Sequence, residues 1–263
     1  MNRSMNRGVG LLAGLAIAAS LAMPALAVPA RPQAVDDSLV AQAATATGIA
    51  RCAADWLKAK ADPTVPNLQV VGFCEIDRRL VAIDRLAGLV NEARALTDAH
   101  KAALTTILGG DKTGLTALRA QIGGDTTIAS LRSDIRKIYT DYRIYVLVTR
   151  QVRLVRGDDR VATAADRLDD ATTRLTDAIA RAKANGKDVT AAQGHLDAMV
   201  AAIGTARVEV AGDAETVLAQ TPAAWNAGTA KPVLDAARVS LGAAHTDLRT
   251  ALSEAKAVLA ALR

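Results

Sequence analysis

The chain has 263 residues, 32 Lys and Arg against 27 Asp and Glu for a formal charge of +5, and 51% apolar residues with only 2% aromatic. That is enough chain to bury a core, in one large or two small domains. The basicity is too mild and too scattered for a nucleic-acid binder, and an apolar half made mostly of Ala, Leu and Val excludes a sheet-rich fold in favour of helices.

At the N-terminus, Arg3 and Arg7 precede a 15-residue apolar run from Val9 to Met23 and the small-residue pattern Ala25-Leu26-Ala27. This is the pattern of a secretory signal peptide, with cleavage expected after Ala27. A membrane anchor needs about 20 apolar residues, and this run is shorter and broken by Gly10 and Gly14. Met1-Asn2-Arg3 recurs as Met5-Asn6-Arg7, so translation starts at either methionine. Cleavage removes Arg3 and Arg7 and no acid, which lowers the formal charge from +5 to +3. The mature chain is expected beyond the membrane, secreted or extracytoplasmic, with no further span.

Residues 28–35 read as a flexible start, and a first helix is expected from Asp36 to about Ala61, ended by Asp62-Pro63-Thr64-Val65-Pro66. The second is expected from near Cys74, with Ile76, Leu80, Ile83 and Val90 on one face. Cys52 and Cys74, the two cysteines, both lie in the exported part, where thiols pair. A disulfide between them would tie the two helices across the proline loop. A redox or metal pair would need closer spacing or added ligands.

Leu108-Gly109-Gly110-Asp111-Lys112-Thr113 is echoed fourteen residues later by Ile122-Gly123-Gly124-Asp125-Thr126-Thr127, and each reads as a helix stop and restart. A phosphate loop at Gly109 to Thr113 fails for want of a Gly before Lys112 and of a preceding strand. A helical pattern resumes through Ile128, Leu131, Ile135, Ile138, Tyr142 and Tyr145; either this register continues to Arg156, or Arg143 to Val155 is extended or a helix bend. Gly157-Asp158-Asp159 reads as a break and a new cap.

Beyond it, Val161, Ala165, Leu168, Thr172, Leu175, Ile179 and Ala182 form a seam with Asp170–Arg174 and Asp177–Arg181 as outer pairs. Two seven-residue registers follow, Val189, Leu196, Ile203, Val210, Val217 and then Leu234, Leu241, Leu248, Ala255, Leu262. The short turn Asn185 to Asp188 makes the second of these helices antiparallel to the first, and Pro222 to Pro232 forms the longer connection to the third. In that register His195 falls level with about residue 256, far from His245. The fold expected is all-α: an elongated antiparallel bundle with coiled-coil-like seams in two lobes, an N-terminal one over 36–156 and a three-helix one over 157–263, monomeric or weakly self-associating.

No nucleophile elbow surrounds any serine, and His100, His195 and His245 lack the close pairing of zinc ligands and read as solvated. Asp158-Asp159 and Asp169-Asp170 read as dipole partners at caps and polar faces. No catalytic residue, metal or cofactor is therefore expected. The one segment of distinct composition is Tyr139 to Arg156, in which Tyr139, Tyr142 and Tyr145 accompany Arg143, Arg150, Arg153 and Arg156. Guanidinium forks and ring faces together can hold anionic groups, as on a wall polymer or lipid surface. The competing reading has the tyrosines filling a helix junction and the arginines solvating its outside.

The stretch Leu96-Thr97-Asp98-Ala99-His100-Lys101-Ala102-Ala103-Leu104, with Leu118, Ile122, Asp125 and Asp141-Tyr142-Arg143-Ile144-Tyr145, resembles a group of bacterial secreted proteins of unknown function that carry a signal peptide and long helices. The resemblance covers roughly residues 74–160. It implies secretion and a helical fold, and carries over no activity, cofactor or functional residue. The function expected is a non-catalytic structural or binding protein of the envelope or extracellular space. Peripheral binding of anionic surfaces is the alternative, and a secreted enzyme a remoter one.

Overall fold

The computed structural model describes residues 52–263; the expected signal peptide, the flexible 28–35 and most of the expected first helix lie outside the described residues. The fold is an all-α helical bundle, with no strand among the described residues. Helix α1 (52–61) meets α2 (Val65–Asn91) through the Cys52–Cys74 disulfide, whose Cα atoms stand 5.6 Å apart. α2 starts nine residues earlier than the sequence pattern suggests, at Val65 rather than Cys74. Pro66 sits in its first turn, where a missing N–H is no loss.

α3 (Asp98–Gly124) runs through Gly109-Gly110 without the expected stop. Leu104, Leu108, Leu115, Leu118 and Ile122 are buried along one stripe, and burying that stripe outweighs the roughly 1 kcal/mol that each helical Gly costs. The second Gly-Gly-Asp does end the helix: Asp125 turns extended, and Thr127 caps α4 (Ile128–Thr140) by accepting from the Ser130 N–H.

Arg143 then takes a left-handed φ of 32°, and Ile144–Val148 winds as a π turn leading into α5 (Thr149–Ala184). The ambiguous segment is thus a bent helix. α5 continues through Gly157-Asp158-Asp159, so the expected break and cap are absent and the expected lobe boundary falls inside a helix. A β-carbon on Gly157 would stand 2.4 Å from Leu241 Cδ2, so α5 needs Gly there for contact rather than for a turn.

α6 (Thr190–Glu209) ends before the last two positions of its seven-residue register. Gly212, at φ 78°, redirects the chain into α7 (Asp213–Leu218), which carries Val217 into a different part of the core. α8 (Pro222–Asn226) and α9 (Ala230–Ala261) complete the chain, with Pro232 in the first turn of α9 as expected. His195 Nδ1 lies 2.7 Å from Glu254 Oε2, and Lys187 Nζ donates to Leu262 O, so α6 and α9 are antiparallel. Arg150 pairs with Asp235 and Gly157 meets Leu241, so α5 and α9 run parallel, about 85 residues out of step.

Two main cores result. One gathers α1 to α4, the first half of α5, α7 and the start of α9; the other is formed by the far halves of α5 and α9 with α6. All described residues belong to one unit, Thr45–Arg263. Outside the cores, the expected Asp170–Arg174 and Asp177–Arg181 pairs are not among the ion pairs; Asp166 and Asp169 instead hold Arg207 of α6. No described helix is long and apolar enough to cross a membrane.

Candidate functional site

The bend at Arg143 distributes the tyrosine and arginine segment over several neighbours. Tyr139 lies 4.5 Å under the Arg79 guanidinium, and Tyr145 packs against Arg78 and Arg79 while its hydroxyl donates to Arg78 O. Tyr142 fills the space beside Gly114 of α3. Arg143 donates to Asn226 of α8, and Arg150 holds Asp235 with Trp225 nearby. Arg156 is half-buried, and Arg153 is the member of the set that is exposed on α5 with no hydrogen bond or ion pair among the described residues. Tyr139 and Tyr145 thus serve the protein's own arginines, and the seven residues do not share one face.

Side chains that converge do so elsewhere, in a groove of about 270 Å³ between the start of α3, the middle of α5, the end of α6 and α7. Its polar lining is His100, Asp158, Asp159, Arg207 and Glu215; its apolar lining includes Ala162, Val210 and Ala214. Asp159 sits at the N-terminus of α3, where its Oδ2 accepts the Thr97 N–H at 2.8 Å and the helix dipole favours a carboxylate. The same carboxylate lies 2.9 Å from His100 Nδ1, and the opposite ring nitrogen faces Glu215 at 3.4 Å. Burial works to lower the His100 pKa, but Asp159 and then Glu215 outweigh it and raise it above the ordinary value. His100 is consequently a tethered, partly buried group rather than the solvated one expected.

Asp158 differs from its neighbours. It is 4% exposed, and neither carboxyl oxygen has a hydrogen-bond partner among the described residues. Burial, then the charges of Asp213 and Asp159, push its pKa up to about 7. Neither it nor Asp159 is a cap of its own helix, contrary to expectation.

A ring held by carboxylates on both nitrogens favours imidazolium, which anchors charge rather than abstracting a proton. Among the described residues no Ser, Thr or Cys lines the groove, and no group of three His, Cys, Asp or Glu is placed to hold a metal ion. What the arrangement offers is a carboxyl group prepared to lose its proton beside a cation.

The signal for Asp158 was present in the sequence: it continues the apolar stripe from Leu154 and Val155 to Val161 and Ala165, a position that helical spacing buries. Nothing local to His100 pointed to Asp159, 59 residues away. Comparison with protein-family models, curated proteins and solved structures gave no match.

Proposed function

We propose that the chain is an exported, non-catalytic helical binding protein that docks on an anionic lipid surface through the joint face of α5 and α9. The observation that carries this reading is the arrangement of Arg153, Arg160, Arg238, His245 and Arg249, all exposed and none in an ion pair among the described residues. The 85-residue offset brings Arg153 level with Arg238 and Arg160 level with His245. Seven residues separate the levels, about 10 Å along a helix. Burial, then Arg249 and Arg160, hold the His245 pKa below its ordinary value, which places those two cations close to the ring. The anionic-surface reading thus keeps Arg153 of the original segment and takes its other groups from α9 and the next turns of α5.

Export rests on the sequence pattern at residues 3–27, and the disulfide is compatible with it. The test is co-sedimentation of the disulfide-bonded protein with vesicles containing anionic phospholipid, with zwitterionic vesicles as control. Binding should weaken steeply with salt. Replacing Arg153, Arg160 and Arg249 together by Ala should cost about 3 kcal/mol, on the order of a hundredfold in affinity. Salt-insensitive binding, or none, ends this reading.

A further inference from the structure

Around the groove beside α7, almost every charge has a mate. Asp159 holds His100 and the Thr97 N–H, Glu215 meets the other side of the ring, and Arg207 is held by Asp166 and Asp169. Asp158 has none among the described residues, although it is 96% removed from solvent and lines the groove. Asp213, at the first turn of α7, is the carboxylate that acts most strongly on it and itself keeps one buried oxygen, Oδ2, without a partner. A buried carboxyl without a partner costs free energy that proteins rarely leave unrecovered. Among the described residues no cation bonds to it, although His100 attracts it without a hydrogen bond, and Ala162, Val210 and Ala214 form the aliphatic part of the wall.

We propose that this groove binds a primary alkylammonium group, on a small free amine or on a lysine side chain, with the ammonium held by Asp158 and the methylene stem lying along Ala162, Val210 and Ala214. The ammonium supplies three N–H donors, enough for both unpartnered oxygens of Asp158, and its stem matches the apolar lining. A volume of about 270 Å³ accommodates a short alkyl chain with its head group. Both Asp158 oxygens are buried, so binding draws on the turn at 210–213, where Gly212 takes its left-handed φ.

Binding has a proton balance. Below its midpoint Asp158 carries a proton on a carboxyl oxygen. When the ammonium arrives that O–H bond breaks, the proton passes to solvent, and the ammonium keeps all its own. The groups facing Asp158 are Asp159 on α5, His100 on α3, Asp213 and Glu215 on α7, with Arg207 on α6 at the rim. The site uses none of the residues of the α5/α9 face, so it stands or falls independently of vesicle binding.

The experiment is titration calorimetry of the disulfide-bonded protein with n-butylammonium and with Nα-acetyl-lysine methylamide, at mildly acid pH, in two buffers of different protonation enthalpy. The expected result is saturable binding with release of about one proton per site. Affinity should rise with pH up to the Asp158 midpoint of about 7. Asp158→Asn, which copies the shape of the protonated group, and Ala162→Leu, which fills the groove, should each weaken binding at least tenfold while vesicle binding persists. Stronger binding of the lysine amide points to a protein partner, and stronger binding of butylammonium to a free amine. No binding of either probe, binding without proton release, or binding unchanged in both variants overturns the proposal.

Discussion

Arg79 and Glu75 form an ion pair one turn apart on α2, with Arg79 Nη1 2.6 Å from Glu75 Oε2 and each residue 4% exposed. The guanidinium also donates to Glu75 O and lies over Tyr139, while Arg78 approaches the same carboxylate from the rim. Burial acts to raise the Glu75 pKa, but Arg79 and then Arg78 outweigh it and hold the carboxyl below its ordinary value. Removing one member leaves a charge in the core with its mate gone. Glu75→Gln is therefore expected to lower unfolding stability by about 3 kcal/mol, read from urea melts at neutral pH. A loss under about 1 kcal/mol would mean that Tyr139 and the carbonyl suffice for Arg79.

The Cys52–Cys74 bridge closes a loop of sequence separation 22 and secures α1, whose Ala59 belongs to the first core. Cross-linking a loop of this size restricts the unfolded chain by about 3 kcal/mol. A Cys52→Ser/Cys74→Ser double variant should lose that amount, and reductant should lower the Tm of the parent to that of the variant. Equal melting of the parent with and without reductant would show that α1 holds by packing alone.

At Gly157 two effects oppose each other. Alanine would gain about 1 kcal/mol of helix propensity, but its β-carbon would meet Leu241 Cδ2 at 2.4 Å. Overpacking of this kind costs about 1–3 kcal/mol, so Gly157→Ala is expected to destabilise by about 1 kcal/mol. In a Leu241→Ala background the contact is gone and the same change should stabilise. Additive effects of the two substitutions in a double-mutant cycle would refute the close approach of α5 and α9.

Apolar spacing made the bundle legible. The register of α6 and α9 placed His195 level with about residue 256, and its partner is Glu254. Local signals failed where burial overruled them. Gly109-Gly110 carries the same chemistry as Gly123-Gly124, yet only the second pair ends a helix, because buried Leu108 and Leu115 hold α3 together across the first. Conversely, the seven-residue register through Val210 and Val217 continues in sequence while the chain turns at Gly212. The groove depended on relations that spacing does not encode: Asp159 with His100, and Asp158 with Asp213, lie on different helices. Of the segment expected to hold anions, Arg153 is exposed, while Tyr139 and Tyr145 pack on the arginines of α2 and Tyr142 against α3.

Two aspartates should give this protein an acid-favoured stability. Burial pushes Asp111 up to about 7, and burial with Asp213 and Asp159 pushes Asp158 up to about 7, from an ordinary value of 3.8 in each case. The folded protein therefore holds protons that the unfolded chain releases above about pH 4. Their contribution is complete below the unfolded pKa and is lost as pH rises through about 7. His100 acts in the same sense at the upper end: its folded pKa is raised, so the stability it adds is present below its unfolded value of 6.5 and disappears as pH rises through the folded one. Glu75 opposes them at the acid end, since its lowered pKa withdraws stability as pH falls through the folded value. Unfolding free energy measured in urea should accordingly decline from mildly acid pH to beyond neutrality. Asp158→Asn should remove one proton from that slope, about 1.4 kcal/mol per pH unit, and Asp111→Asn another. A slope unchanged in both variants would show that neither carboxyl retains its proton in the folded protein.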